Sequence, residues 1–418
     1  MHYFTYHLGE LYCEEVPVKK IVQEVGTPVY IYSSATIKRH FKVFDESFKS
    51  IPHLVCYSVK ANSNLAVLSL LKNLGAGADI VSAGELKRAL KAGFDPKKIV
   101  FSGVGKTPEE IKLALEAGIL MFNVESLAEL DTLAQIANSM GKKAPFALRV
   151  NPNVDPMTHP YISTGLKQNK FGIPEELVIP AYKKAAENPH LEPIGLDAHI
   201  GSQITSVTPF KDALKRLKVI WNELKSLGIS LKYLDIGGGL GIVYENESPP
   251  MPEEYANAII EEAKELEATL ILEPGRVIVG NAGILVTKVL YLKENFEKKF
   301  VIVDAGMNDL IRPAFYQAYH KIVPVEENFE REEVVDVVGP ICESGDFLAK
   351  QRPLPRVKPG DLLAVMSAGA YGFVMSSNYN SRPRPPEVLV SGDKFYIVRK
   401  RETIEDLYRL EEIPEELK

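Results

Sequence analysis

The sequence predicts an α/β protein, a (β/α)8 barrel joined to a separate all-β domain. From about residue 34 to about 280, short apolar runs alternate with stretches of helical periodicity. Brief runs rich in Val, Ile and Leu are typical of parallel strands buried on both faces. The alternating region spans roughly 240 residues, the usual size of such a barrel. After residue 276 strand-like segments follow one another without long helices, which indicates a second domain.

The predicted barrel strands are each bounded by Gly, Pro, Asn or Ser. The helical patterns between them carry end signals, because Ser126 and Glu129 have the spacing of a capping box and Gly93 and Gly118 stand where helices commonly end. A further helix, 34–50, precedes the first strand. The strands are 54–60, 78–82, 99–103, 120–125, 145–151, 195–201, 232–238 and 269–274, and the helical patterns include 83–93, 108–118 and 126–140.

The all-β domain is predicted from the segments that follow the barrel. The N-terminal stretch, with its own strand at 28–32, has no place in the barrel and is expected to pack on this domain. The predicted domains are therefore 34–280 for the barrel and 1–33 with 281–418 for the β domain. The β-domain strands are 284–293, 300–304, 333–338, 361–366, 387–390 and 394–399.

Composition excludes several classes of protein. Of 418 residues, 45% are hydrophobic and 25% charged, the balance of a globular protein. The net charge of -6 lacks the basic footprint of a nucleic-acid binder, and no apolar run is long enough to predict a membrane span. The N-terminus shows no secretory signal, and the three cysteines form no CxxC pair. We expect a cytoplasmic protein without disulfides or a metal site.

Polar residues follow the predicted barrel strands at the ends where barrel active sites lie. Taken alone, any one of these residues is more simply explained as a polar side chain at a strand end in contact with solvent. Lys60, however, follows a buried strand, where an ammonium group is costly unless a functional site uses it. Glu273 ends another apolar strand and needs a cation or a donor nearby, which Arg276 could provide. The strand-end residues are Lys60, Asp79, Arg149, Asn151, His199, Ser202, Glu273 and Arg276.

The run Gly237-Gly238-Gly239 offers consecutive backbone amides of the kind that bind anions, although a flexible turn is the alternative. It is not a dinucleotide fingerprint, since Ile242 occupies the sixth position of GxGxxG. Similarly, Gly105-Lys106-Thr107 is not a P-loop, because Val100 stands where that motif requires glycine.

Three features after the barrel could carry chemistry. Arg312 and Tyr316 are four residues apart, where a proline could begin a helix, so they would lie on the same helix face. Such a pair could bind a carboxylate, and the alternative is that Arg312 is an ordinary surface arginine. Cys342 stands in a glycine-containing loop, whereas a lone cysteine is usually an inert small hydrophobe. Tyr371 lies on a predicted tight turn between glycines.

Seven short segments match the motifs of a known enzyme family and follow one another in the same order along the chain, although no single segment would identify that family. They are Tyr57-Ser-Val-Lys-Ala-Asn62, His199-Ile-Gly-Ser-Gln203, Gly237-Gly-Gly239, Glu273-Pro-Gly-Arg276, Met307-Asn-Asp-Leu-Ile-Arg-Pro313, Cys342-Glu-Ser-Gly-Asp346 and Gly369-Ala-Tyr-Gly372. Together they resemble the diaminopimelate decarboxylase family of pyridoxal 5'-phosphate enzymes, which have the alanine racemase-like fold (type III). This resemblance extends over nearly the whole chain and implies the same barrel and β domain.

The resemblance implies a role for each segment in binding pyridoxal phosphate. Lys60 would bind the cofactor covalently, His199 would stack on its ring, and Glu273 would hold the ring nitrogen protonated. The glycine run, Arg276 and the Tyr371 hydroxyl would hold the phosphate. The implied cofactor set is Lys60, Asp79, His199, Ser202, Gly237, Gly238, Gly239, Glu273, Pro274, Gly275, Arg276 and Tyr371, with no separate role assigned to Asp79 or Ser202.

The resemblance also implies the reaction, the cleavage of meso-2,6-diaminopimelate at its D centre to L-lysine and carbon dioxide, the last step of lysine biosynthesis. Cys342 would donate the proton that replaces the carboxylate, from the partner subunit of a homodimer with shared active sites. The implied catalytic residues are Lys60, His199, Glu273 and Cys342. The implied substrate-binding residues are Arg276, Arg312, Tyr316, Glu343 and Tyr371.

Other activities of the same fold remain as alternatives. Decarboxylases of ornithine or arginine have no distal carboxylate to bind, so Arg312 and Tyr316 argue against them, and less firmly against carboxynorspermidine. A racemase of this fold would have an arginine where Glu273 stands. A protein that only holds the cofactor would lack the β domain.

Overall fold

The computed structural model describes residues 2–156, 158–166, 168–327 and 329–418. The chain divides into two compact units. One is Lys38–Ile278, and the other combines Met1–Ile37 with Val279–Lys418. We call them the barrel unit and the β unit.

The barrel unit confirms the predicted (β/α)8 fold. Each strand pairs in parallel with the next in sequence and the last pairs with the first, which closes a ring of eight strands in the described residues. A short strand, Ile173–Pro174, adds to β5. The ring strands are β1 His53–Ser58, β2 Gly77–Ile80, β3 Ile99–Phe101, β4 Met121–Val124, β5 Ala144–Asn151, β6 Leu191–Asp197, β7 Tyr233–Asp235 and β8 Thr269–Leu272.

Helices alternate with these strands, as their apolar spacing predicts. The predicted capping box at Ser126 is only half formed. Ser126 Oγ accepts a hydrogen bond from the Glu129 amide, but the Glu129 carboxylate binds the Glu125 amide and Lys106 instead of returning to Ser126. The helices are α1 Ser34–Ser47, α2 Leu65–Asn73, α3 Ala83–Ala92, α4 Pro108–Ala117, α5 Leu127–Ser139, α6 Glu175–Ala186, α7 Thr208–Ser226 and α8 Pro252–Ala263, followed by the short helix Arg276–Val279.

The barrel interior is apolar in the middle and polar towards the carboxyl ends of the strands. Side chains from different strands meet in one buried cluster made of Cys56, Val100, Met121, Ala147 and Ile271. Beyond this cluster many of the buried residues at or near the strand ends are polar, namely Ser58, Asp79, Ser102, Asn123, Arg149, Asp197, Asp235 and Glu273. The apolar cluster supports this polar end of the barrel, where the strand order places the loops that carry chemistry.

The β unit is mostly rather than entirely β, because an eight-residue helix, Val18–Val25, follows its first strands. Strand Val29–Ser33 pairs antiparallel with Gly283–Glu294 and parallel with Glu387–Ser391, so the N-terminal segment is part of the main sheet of this unit. Its other strands are Phe4–His7, Glu10–Cys13, Val16–Pro17, Lys299–Val303, Ile322–Pro324, Glu332–Val338, Phe347–Pro355, Leu362–Val365 and Lys394–Arg399, and its second helix is Arg312–Tyr316.

Membrane-spanning helices and metal-binding clusters are both absent from the described part of the chain. No helix there has the length and apolar character needed to cross a bilayer. No group of three or more His, Cys, Asp or Glu side chains is arranged to hold a metal ion.

Candidate active site

Lys60 stands at the polar end of the barrel, on the helical turn Val59–Ala61 that directly follows β1. Its ammonium group lies 2.6 Å from Asp79 Oδ2, at the middle of β2, and the Asp79 side chain is fully buried. Ser58 Oγ lies 2.8 Å from the same carboxylate oxygen and 3.0 Å from the Glu273 carbonyl oxygen, and its single hydrogen can be donated to either. The end of β1 therefore holds both Lys60 and the segment that follows β8.

The Glu273 carboxylate is buried among other acidic groups. Ser102 Oγ and the Asn123 amide lie 3.3 and 3.4 Å from Glu273 Oε1, and the Asn123 amide also donates to Asp235 Oδ2 at 3.0 Å. Burial and the neighbouring Asp235 carboxylate raise the pKa of Glu273 well above its ordinary value. Burial likewise raises the pKa of Asp197 and of Asp235. An acidic cluster of this kind favours a bound partner that carries positive charge or a donated proton.

His199 lies after β6 and touches the glycine run. Its Nδ1 accepts a hydrogen bond from the Gly238 amide at 3.0 Å, which requires the ring hydrogen to be on Nε2. Burial, with the Arg149 and Lys60 charges, lowers the pKa of His199 well below its ordinary value, so the ring is neutral. A Cβ at Gly237 would collide with the His199 ring, and Gly237 has a left-handed φ of +66°. Only glycine fits there.

Arg276 begins the helix after β8 and reaches two hydroxyl groups. Its Nη1 donates to the Tyr244 hydroxyl at 2.6 Å and its Nη2 to Ser202 Oγ at 3.0 Å. The loops after β6, β7 and β8 are thereby joined by one guanidinium group.

Arg149 at the end of β5 is a second buried cation of this end of the barrel. It donates to Glu125 Oε1 at 2.6 Å and to the His199 carbonyl oxygen at 3.2 Å, and its guanidinium lies 4.8 Å from the centre of the Phe171 ring. Arg149 thus fixes the backbone that presents His199.

The remaining predicted site residues lie in the β unit. Arg312 opens the helix Arg312–Tyr316, and its guanidinium lies 5.6 Å from the centre of the Tyr316 ring, which confirms that the two share a face. Arg312 is 5% exposed and is not the surface arginine of the alternative interpretation.

Cys342 and Glu343 lie on a tight turn of the β unit that is held from both sides. The exposed Cys342 donates its backbone amide to Asn380 Oδ1 at 2.7 Å. A hydrogen bond from Tyr379 to Glu343 raises the pKa of that tyrosine. Asp346 accepts the amides of Met307 and Ile341, each at 2.7 Å, and so joins this turn to the segment that leads to Arg312.

The structure thus groups the predicted residues within each unit. The barrel unit collects Lys60, Asp79, His199, Ser202, Gly237, Gly238, Gly239, Glu273, Pro274, Gly275 and Arg276 at one end. The β unit contains Arg312, Tyr316, Cys342, Glu343 and Tyr371. Sequence reasoning missed Asn123, Asp197 and Tyr244, although a lone polar residue in the apolar runs of β4 and β6 is a signal for the first two.

The comparisons with known proteins define first a class and then a family. Residues 34–280 match the family described as pyridoxal-dependent decarboxylase, pyridoxal binding domain, and this is more than half of the chain. The chain is therefore a pyridoxal-dependent decarboxylase.

Within that class the relatives agree. The chain is 54% identical over 413 residues to the diaminopimelate decarboxylase of Haemophilus influenzae, covering 98% of this chain and 99% of the relative. It is similar to the Helicobacter pylori diaminopimelate decarboxylase solved with L-lysine (48% identity, TM-score 0.92, 94% and 98% covered). It is also similar to the M. jannaschii enzyme in co-complex with L-lysine (41%, 0.95, 99% and 98%). The chain belongs to the diaminopimelate decarboxylase family.

The residues at the polar end of the barrel fit pyridoxal phosphate. The glycine run presents backbone without side chains towards a phosphate, and a Cβ at Gly238 would collide with the Glu273 carbonyl oxygen. The Gly237 and Gly238 amides donate to Asp235 Oδ1 and His199 Nδ1, so the phosphate of the cofactor would share or displace these bonds. The pyridine nitrogen of the cofactor matches the buried Glu273, and its aldehyde matches Lys60. The buried Asp79 Oδ1 has no hydrogen-bond partner among the described residues, which leaves it an open acceptor beside the lysine.

Proposed function

We propose that this chain decarboxylates meso-2,6-diaminopimelate at its D centre and releases L-lysine and carbon dioxide. The observation that carries the substrate assignment is the buried Arg312 guanidinium beside Tyr316, a cationic group suited to a second carboxylate. The relatives named above support it, because they are named for this substrate and two were solved with L-lysine. The reaction would be the last step of lysine biosynthesis.

The proposed roles in the barrel follow from the contacts of each side chain. When bound, pyridoxal phosphate supplies an electron sink for the electron pair that remains when the carboxylate leaves as carbon dioxide. Lys60 would bind it covalently, with Asp79 orienting the amine. Glu273 would hold a proton on the ring nitrogen, and the neutral His199 ring would support the ring face. The glycine run and Arg276, with Ser202 and Tyr371, would hold the phosphate.

The proposed roles in the β unit concern the substrate and the final proton. Cys342 would deliver the proton to the α-carbon, and Arg312 and Tyr316 would bind the distal carboxylate with Arg276 and Tyr371. Glu343 would bind the distal amino group. We propose that the β domain, 1–33 with 281–418, supplies these groups beside the barrel domain 34–280, and that the loop with Cys342 comes from the partner chain of a homodimer with shared active sites.

The proposed compartment is the cytoplasm, where an exposed thiol stays reduced. Cys342 can donate a proton only as a thiol, and the structure has it exposed and free.

The test is lysine formation from meso-diaminopimelate with added pyridoxal phosphate, with ornithine, arginine and LL-diaminopimelate run in parallel. We expect lysine and carbon dioxide from the meso isomer alone. The variant Lys60→Ala should show neither turnover nor the visible absorbance of covalently bound cofactor. Carbon dioxide from a different amino acid would keep the decarboxylase chemistry but reject the assignments of Arg312 and Glu343.

A further inference from the structure

His320 is a fully buried histidine of the β unit with a polar partner at each ring nitrogen. Its exposed fraction is 0%. Nδ1 lies 2.9 Å from the carbonyl oxygen of Met366, and Nε2 lies 3.3 Å from Nε of Arg312. Its own carbonyl oxygen accepts a hydrogen bond from Arg352 at 2.6 Å. The side chain and the backbone of His320 are therefore both fixed.

These partners allow a single protonation state of the ring. A carbonyl oxygen only accepts, so Nδ1 of His320 must carry the hydrogen that it shares with Met366. Nε of an arginine only donates, so Nε2 must be the acceptor for Arg312. The imidazole is neutral and in the Nδ1–H tautomer, and a second proton would break the bond to Arg312 and place two cations side by side.

The bond to His320 also determines how Arg312 can bind a ligand. A carboxylate can approach a guanidinium through Nε and one Nη, or end-on through both Nη atoms. Because Nε of Arg312 is directed at His320, only the end-on approach leaves two nitrogens to one carboxylate. The ring of Tyr316 also packs on this guanidinium, with its centre 5.6 Å from Cζ.

We infer that His320 is a positioning residue for substrate recognition, which holds Arg312 so that its two Nη groups receive the distal carboxylate of the substrate end-on. This inference rests on the proposed function, since it takes Arg312 as the group that binds that carboxylate. The inference requires that Nε2 of His320 accepts a hydrogen bond from Arg312. A residue that only filled the space would need no acceptor at that position.

The experiment compares His320→Asn with His320→Gln in the full-length enzyme loaded with pyridoxal phosphate. Asparagine can keep the donor to Met366 but cannot reach Arg312, whereas the glutamine oxygen lies near the position of Nε2. We expect His320→Asn to raise KM for meso-diaminopimelate about tenfold, the usual effect of losing a hydrogen bond to a charged group, with kcat changed less than about threefold. His320→Gln should stay within about threefold of the wild-type KM.

The same substitution made in an Arg312→Ala background separates the inference from the proposed function. If His320 acts through Arg312, adding His320→Asn to the Arg312→Ala variant should not raise KM above that of Arg312→Ala alone. Equal effects of the two His320 variants, or an undiminished effect without Arg312, would overturn the inference. If Arg312→Ala alone leaves KM unchanged, the proposed carboxylate site itself is wrong.

A measurement on the wild-type enzyme covers the case in which His320→Asn does not fold. Nitrogen-15 NMR of histidine-labelled protein, with the His320 signal assigned by its loss in His320→Gln, reports which ring nitrogen carries the hydrogen. A protonated Nδ1 with a bare Nε2 supports the inference. A protonated Nε2 rejects it.

Discussion

Replacing Lys106 by methionine should destabilise the barrel strongly, although no catalytic or binding role is proposed for this lysine. Its side chain is fully buried and its ammonium group makes three bonds, to the carbonyl oxygens of Gly103 and Asn123 at 2.8 and 2.7 Å and to Glu129 Oε1 at 2.7 Å. Three donors thus meet three acceptors, one of them charged. The Asn123 carbonyl belongs to the residue whose amide contacts Glu273, so Lys106 also fixes the end of β4.

The magnitude follows from what the substitution leaves behind. Methionine keeps the apolar stem but leaves Glu129 buried without its cation, and removing one partner of a buried ion pair costs about 3–5 kcal/mol. The two carbonyl bonds add about 1 kcal/mol each before water or local movement compensates. We expect Lys106→Met to lower the free energy of unfolding by about 4 kcal/mol at pH 8. The double variant Lys106→Met/Glu129→Gln should recover roughly half of that loss, because the uncompensated charge is gone.

The pH dependence provides a second check. Burial already raises the pKa of Glu129, and Lys106 lowers it again. Without that cation the pKa of the folded state rises further, so the folded protein holds a proton that the unfolded chain has lost. The unfolded chain binds protons equally in both proteins, so the part of the deficit that comes from the Glu129 charge depends only on the two folded-state pKa values. That part should be largest at pH 8 and should shrink as the pH falls through the raised pKa of the variant towards the pKa of Glu129 in the wild type. Urea unfolding of the wild type and of Lys106→Met at pH 8 and at pH 5 measures the size of the stability loss and its dependence on pH. A loss under about 1 kcal/mol, or an equal loss at the two pH values, would refute this account.

Three further predictions concern other positions. Cys342→Ala should slow turnover by about 10²–10⁴-fold while the visible absorbance of bound cofactor is kept, and unchanged turnover would remove the thiol from the mechanism. Burial raises the pKa of Glu85 to about 7 from the usual 4.5, so this carboxyl destabilises the fold as the pH rises through that window. Glu85→Gln should therefore raise the free energy of unfolding by up to about 3 kcal/mol at pH 8 and have no effect near pH 4.5 in urea titrations, whereas a gain independent of pH would contradict this. Gly238→Ala should weaken binding of pyridoxal phosphate, followed by absorbance titration, because its Cβ would collide with the Glu273 carbonyl oxygen, and an unchanged affinity would show that the glycine run is not the phosphate site.

The barrel could be predicted from sequence because its signals are local. A strand buried on both faces must be apolar throughout, and its neighbours in the ring are its neighbours in the chain, so the run of short apolar segments already specifies the pairing. The predicted strand 145–151 differs from the observed Ala144–Asn151 by one residue. The helix Val18–Val25 was missed because it is short and lies between strands of two to five residues.

The side-chain network at the polar end of the barrel could not be predicted in the same way. Asn123 on β4 meets Asp235 on β7 and Glu273 after β8, residues 112 and 150 positions away. Such contacts across the interior depend on how far the strands are staggered, and composition does not specify that. Lys106 shows the same limit, because a rejected P-loop resemblance left it without a role until the structure showed its three acceptors.

The backbone of the β unit gives independent support to the assignment of Tyr371. This tyrosine has φ +55°, in the left-handed region that glycine enters freely and that other residues adopt at a cost of about 1 kcal/mol or more. Glycines stand next to and near it, at 369 and 372, so the turn is already built from residues that tolerate unusual angles. If only the turn mattered, glycine at 371 would be the more stable choice. The strained tyrosine is therefore better explained by a contribution of its side chain, and a phenol that holds a phosphate or a substrate carboxylate is such a contribution.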